Sequence, residues 1–316
     1  MKRAVKVMKN KLTAEIALLF VAFIWGATFV IVQNAIDELP PLFFNAIRFF
    51  LAGLIIYIIL LFIRKEKTKF QWSSLIPGIL LGCCLFIGYA FQTIGLLYTT
   101  PAKAGFITGL SVVMVPFLAF VFTRNHPRTS AIFGSIAAAT GLYLLAVKNT
   151  TPLSIGDFYV FLCTFGFAFH IILTDRFAKR IPVILLTTIQ IFTVALLCAT
   201  FSIFMEDWTQ IFNKSVNFSN EIIFAILITS LLGTAAAFFI QTQSQKATSP
   251  TRVAIILAME PVFAAITSYF WINERLNIEG VIGCVLIFTG MIISEVPFGT
   301  LFKVRLKKNH AYTKTR

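Results

Sequence analysis

The first half of this chain returns, faintly, in the second. Gln92-Thr93 recurs as Gln241-Thr242, Thr99-Thr100-Pro101 as Thr248-Ser249-Pro250, Lys103 as Arg252, Gly134 as Gly283 and Gly141 as Gly290, all at one offset of 149 residues. The matches punctuate ten apolar runs, at about 14–36, 41–63, 74–97, 101–123, 129–147, 155–175, 182–205, 221–243, 250–272 and 277–296. Runs near 20 residues suit an α-helix crossing a bilayer, and they lack the period-2 alternation of a membrane barrel. Five runs per half is an odd number, so the halves must thread the bilayer in opposite directions. The expected fold is an all-α integral membrane protein with ten transmembrane helices in two inverted five-helix repeats. The repeats take residues 14–147 and 155–296, between a basic N-tail (1–13) and a basic C-tail (297–316).

Composition excludes a soluble alternative. Hydrophobic residues make up 58% of the chain and charged ones 13%, against about a quarter charged in ordinary soluble domains. No soluble core could bury 35 Phe in 316 residues. The first run exceeds a signal peptide's apolar length and lacks a small-residue cleavage site, so it reads as a retained span.

A net charge of +14 would suit nucleic acid, but its distribution points to topology. With the N-terminus inside, the cytoplasmic segments collect the N-tail lysines and arginine, Arg64 to Lys69, Arg124, Arg128, Arg176, Lys179, Arg180, Lys246, Arg252 and the basic C-tail. The outer segments hold Lys103, Lys148, Lys214 and Arg275. The positive-inside rule then sets both termini in the cytoplasm of a multi-pass cell-membrane protein. Trp72, Trp208 and Trp271 fall near span ends, as an interfacial belt would place them, whereas Trp25 sits mid-span.

Five cysteines lie within apolar runs without CxxC spacing, and three histidines lack HExxH spacing. No metal site, cofactor or disulfide framework is expected. The absence of GxxxxGK[ST] excludes ATP-driven pumping by this chain alone.

Polar residues at bilayer depth are costly and mark candidate sites. Glu260 lies about 15 Å into span 9, near the midplane. It costs about 2.5–3.5 kcal/mol unless protonated, paired or hydrated. Pro261 leaves the carbonyl of Leu257 without a helical donor and should bend the helix there. Pro116 in span 4 is not its repeat mate, which predicts two kinks offset by one turn. His170 in span 6 suits proton handling, with Gly166 and Thr174 on its face. Gln92 and Gln241 are repeat mates approaching opposite mouths, where a pathway opening alternately to either side would need polar groups. Trp25 and Tyr89 could line an amphipathic cavity. Arg48, about 10 Å into span 2, could contact an anion, snorkel outward, or pair with Asp37 or Glu38. Lys103 and Arg252 are expected to anchor two turns at the membrane surface. Small residues such as Gly134–Ala139 and Gly283 should let helices approach closely.

Two groups of residues carry a resemblance. Trp25-Gly26-Ala27-Thr28-Phe29 in span 1 is followed by Pro41 and Arg48-Phe49 in span 2. Glu260-Pro261-Val262-Phe263 in span 9 is followed by Asn273-Glu274-Arg275-Leu276, then Gly283 and Gly290. In that order within ten spans, the chain resembles the EamA-type branch of the drug/metabolite transporter superfamily. The first half departs from the pattern, with Arg124-Asn125-His126-Pro127 where Glu-Arg is common and Val112 where Glu-Pro recurs. The resemblance implies a central cavity lined mainly by spans 1, 3, 4, 6, 8 and 9. It also implies transport of amino acids, metabolites or drugs, often outward.

The expected function is secondary transport of small organic solutes across the cytoplasmic membrane by alternating access, in the export direction, with protons as the possible coupling ion. The expected pathway residues are Trp25, Tyr89, Gln92, His170, Gln241 and Glu260, with Arg48 as a structural or anion contact. The partners would be a small-molecule solute and the lipid bilayer, without nucleic acid. The alternatives are a membrane-embedded enzyme, a sensor or scaffold without transport, or a channel. Clustered catalytic groups and a soluble output segment, which two of these would need, are absent from the sequence.

Overall fold

A computed structural model describes residues 2–62, 72–99, 101–123, 128–146, 154–207, 219–272 and 278–295. Among them are thirteen α-helices and no strand. Helix α1 is Lys2–Ile36, α2 Pro41–Phe62 and α3 Leu75–Leu96. The next run is broken into α4 (Pro101–Gly109) and α5 (Ser111–Thr123), and α6 is Thr129–Ala146. In the second half α7 is Ile155–Ala178 and α8 Val183–Met205. Helices α9 (Asn220–Ser230) and α10 (Ala237–Ser244) are joined by a π-helical turn, Leu231–Ala236. Another broken run gives α11 (Pro250–Leu257) and α12 (Glu260–Ile272), and α13 is Ile278–Glu295. Eight segments are long and apolar enough to cross a membrane, and two shorter apolar helices, Thr129–Leu144 and Ile278–Ser294, accompany them. The segments carrying Trp208, Arg64 to Lys69, Arg124, Lys148, Lys214, Asn273 to Leu276 and the C-tail lie outside the described residues.

Glycines set the closest helix crossings. A Cβ on Gly134 would sit 2.6 Å from the carbonyl oxygen of Gly290, and one on Gly141 would sit 2.5 Å from that of Gly283. Each glycine of α6 thus faces the mate of the other, and α6 and α13 run antiparallel. This is the signature of a two-fold relation, in which i meets j′ and j meets i′. Helices α3 and α7 also cross antiparallel, Gly88 against Gly166 and Gly95 against Gly156. Helices α3 and α8 run parallel, Gly78 against Ile189 and Gly82 against Thr193. Lipid tails are as apolar as leucine, so close van der Waals packing of this kind, rather than burial from water, draws helices together.

One tie between helices uses charge. The Glu206 carboxylate, past the end of α8, accepts from the backbone N–H groups of Leu42 (2.6 Å) and Phe43 (2.9 Å) and from Ser202 Oγ (2.6 Å). It caps the first turn of α2, whose leading N–H groups have no partner within the helix. Glu206→Ala should lower stability by about 1–3 kcal/mol, because two amides lose their acceptor. Thermal unfolding of the detergent-purified protein would show the loss, and an unchanged midpoint would contradict it.

Candidate functional site

The two broken helices are the local feature that builds the site. The α11–α12 break follows from Pro261, which has no N–H for the Leu257 carbonyl, so the chain leaves the helix at Ala258-Met259. The α4–α5 break falls at Leu110, between Gly109 and Ser111, in the same repeat position. The offset kinks expected from Pro116 are therefore not what forms. Pro116 lies inside α5, and the helix parts a turn earlier, beside Gly109, whose lack of a side chain admits Leu142. The breaks place Ser111 and Glu260, mates at the 149-residue offset, at the first positions of α5 and α12.

Both side chains face one internal cavity, which also collects Trp25, Arg48, Tyr89, Gln92, His170 and Gln241. All seven residues singled out in the sequence therefore meet at one place. The sequence reading missed Thr28, Thr108, Ser111, Phe167 and Phe238, which line the same space. Ser111 carried a usable signal, since it is the repeat mate of Glu260. The others read as ordinary packing residues.

Phe238 organises the aromatic wall. Its ring lies 5.4 Å from Trp25, 5.9 Å from Tyr89 and 5.8 Å from His170, centroid to centroid. The polar atoms are individually held. The Trp25 indole donates to the Gly233 carbonyl (2.8 Å), and Gln92 Nε2 donates to Thr108 Oγ1 (3.1 Å). His170 Nε2 lies 3.0 Å from Gln190 Oε1 and 3.3 Å from Thr174 Oγ1, the neighbour expected on its face. The Gln241 side-chain oxygen is buried on the cavity wall without a hydrogen-bond partner.

Arg48 differs from expectation. It neither snorkels nor pairs with Asp37 or Glu38, and it lines the cavity although the resemblance put span 2 outside it. Its Nε donates to Thr234 Oγ1 (2.7 Å), and an Nη donates to the Gly233 carbonyl (3.3 Å). The Gly233 carbonyl and Thr234 hydroxyl are presented by the π-helical turn, whose irregular hydrogen bonding frees main-chain acceptors; such turns recur at functional sites. The tertiary pull across the bundle thus wins over the short route to solvent.

Two ion pairs each join a helix of one matched segment to a helix of the other. Lys103 Nζ, at the start of α4, lies 3.4 Å from Asp157 at the start of α7, and Asp157 also accepts from Thr99 Oγ1. Arg252, at the start of α11, lies 3.5 Å from Glu15 of α1. Lys103 is thus buried and Arg252 half-buried, each in an ion pair. The free volume of the cavity is about 70 Å³, room for a few waters but short of the roughly 300–1,000 Å³ of organic-ligand sites.

The EamA-like transporter family's sequence profile matches this chain twice, over residues 12–147 and 154–295. An uncharacterized transporter of Archaeoglobus fulgidus is 31% identical over 284 residues, covering 90% of this chain and 86% of the relative. The uncharacterized transporter YyaM of Bacillus subtilis is 25% identical, covering 90% of this chain and 94% of its own. A crystal structure of 18% identity shares the fold with a TM-score of 0.74, covering 93% of this chain and 98% of that one.

Proposed function

The chain belongs to the EamA-like transporter family, and on that premise we propose that it exports small organic solutes across the cytoplasmic membrane by alternating access. The carrying observation is a cavity to which both matched segments contribute, walled at equivalent points by the two helix breaks. Discontinuous helices in corresponding positions of two halves are the best pointer to a solute site in secondary transporters. The antiparallel crossing of α6 with α13 supports an inverted relation of the two repeats across ten spans. Export is the direction the family resemblance implies.

Glu15 and Asp157 stand equally far from the starts of the matched segments, at 12 and 154, and Lys103 and Arg252 are repeat mates. The two ion pairs are therefore counterparts, each joining one repeat to the other. In the proposed cycle Lys103–Asp157 latches the outer side and Arg252–Glu15 the inner side. Opening one latch while the other holds widens the cavity toward a single face.

Glu260 is the proposed proton carrier. It lines the cavity without an ion-pair partner among the described residues. The test begins with the solute that accumulates outside cells carrying the gene and not outside cells lacking it. In proteoliposomes, Glu260→Gln should retain solute counterflow yet lose the response to an imposed pH gradient, because an amide cannot carry the proton. A mutant that keeps the full response would refute the assignment.

A further inference from the structure

We propose that the cavity receives solutes bearing an anionic group, with Arg48 as its anchor, and that a basic vestibule on the Arg252 side gathers them. The proposal rests on the transporter reading above and names the chemistry of its solute.

Arg48 is 3% exposed, and its partners are neutral: Thr234 and Gly233 accept from it, Tyr89 hydrogen-bonds to it, and its guanidinium lies over the Tyr89 and Phe49 rings at 5.2 and 5.6 Å. A buried charge is ordinarily paired, yet no carboxylate reaches ion-pair distance of this guanidinium among the described residues. Three acidic groups near the bundle's ends are committed elsewhere. Glu206 caps α2, Asp157 holds Lys103, and Glu15 meets Lys11 and Arg252. Glu260 shares the cavity but makes no ion pair with Arg48. A guanidinium has five N–H donors in a planar fork that matches carboxylate and phosphate oxygens. Thr234, Gly233 and Tyr89 take up some of these donors without bringing a negative charge, and that counter-charge is what an incoming anion supplies. Trp25, Tyr89, Phe167 and Phe238 form the apolar wall for the organic part of the solute.

A second, separate cavity points the same way. It has a free volume of about 1060 Å³ and is lined by Arg128, Arg176, Arg180, Lys246 and Arg252, with Asp175 the acidic residue among the described lining. Helix α11 starts at its wall, at Pro250–Arg252, and ends on the central cavity at Leu257, about 10 Å from Pro250 at 1.5 Å per residue. Ile172 lines the vestibule and its neighbour Ile171 the cavity. Basic residues at a cytoplasmic end also serve topology. Gathered around one concave mouth, they additionally focus the field and raise the local concentration of anions.

The experiment compares matched probes on the full chain in detergent: benzoate with benzamide and benzylamine, 4-methylpentanoate with its amide, and glycerol 3-phosphate with glycerol. Trp25 emission is followed in a Trp72→Phe, Trp208→Phe, Trp271→Phe background, since the Trp25 indole shares the Gly233 carbonyl with Arg48. The anionic member of at least one pair should bind 10-fold or more tightly than its partners. Arg48→Gln should erase that difference, and Arg48→Lys should retain part of it. Should Arg48 variants not fold, the wild-type comparison decides alone, with Arg180→Gln/Lys246→Gln as the remote variant. That variant should weaken anion binding several-fold at low ionic strength and hardly at high. Equal binding of acids and amides, preference for the amine, or no binding across the panel would overturn the proposal. Anion preference without counterflow in proteoliposomes would instead sink the transporter reading and leave the site standing. Counterflow confined to neutral or cationic solutes would do the reverse.

Discussion

Leucine at Gly141 should prevent the bundle from assembling. The Cβ alone would stand 2.5 Å from the Gly283 carbonyl oxygen and 2.8 Å from the Ile287 backbone nitrogen. Main-chain atoms of a helix cannot turn aside as a side chain can, so α6 and α13 must separate along the crossing. Overpacking in a soluble core costs about 1–3 kcal/mol. Here the obstacle is backbone, and close packing is the main source of helix association in lipid, so the upper end of that range or more is expected. Size-exclusion of the detergent-solubilised protein should show aggregate in place of a single peak. Gly105→Ala is the matched control, because its Cβ would meet only Pro261, at 3.9 Å, and it should elute as wild type. A monodisperse Gly141→Leu protein of unchanged melting midpoint would show that the α6–α13 crossing is not needed for assembly.

Removing one latch at a time should open the molecule in opposite directions. Lys103→Met leaves the nearly buried Asp157 without its cation, and Arg252→Met leaves Glu15 with Lys11 alone, cutting its tie to the second repeat. Breaking a buried pair by truncating one partner costs about 3–5 kcal/mol. Even 3 kcal/mol corresponds to about a 100-fold change in the balance between states. With a cysteine at Thr28 on the cavity wall, a membrane-impermeant maleimide should label Lys103→Met faster from outside and slower from inside. Arg252→Met should give the mirror result. Both variants should lose most net transport, since a conformation that no longer interconverts completes no cycle. If both changed accessibility from the same side, the two pairs would not be counterpart gates.

Much of the fold was legible because a bilayer imposes strong one-dimensional rules. Length, hydropathy and the sidedness of lysine and arginine constrain each span separately, and the helices found end within a few residues of the expected runs, except that α1 already begins at Lys2. The Pro261 break was legible for the same reason, being a local consequence of one missing N–H. Glu260, Gln92 and Gln241 stood out because polar groups are rare at membrane depth. The partners of Arg48 were not legible because its acceptors belong to Thr234 and Gly233, 185 and more residues away. They are exposed by a π-helical turn that no local pattern in Leu231–Ala236 announces. The ion pairs were missed similarly, since Lys103 and Asp157 come from different repeats.

Properties carried by single segments, namely which stretches cross, which way they should face and where one helix must break, follow from residue types and their spacing. Properties carried by pairs of distant segments do not. The meeting of Arg48, Glu260 and the aromatic ring cluster at one small cavity arises only when the two matched segments pack together. Side-chain partnership depends on the rotation of each helix about its own axis. That rotation is set by crossings such as Gly134 against Gly290, where backbone meets backbone and small changes of angle are sterically forbidden.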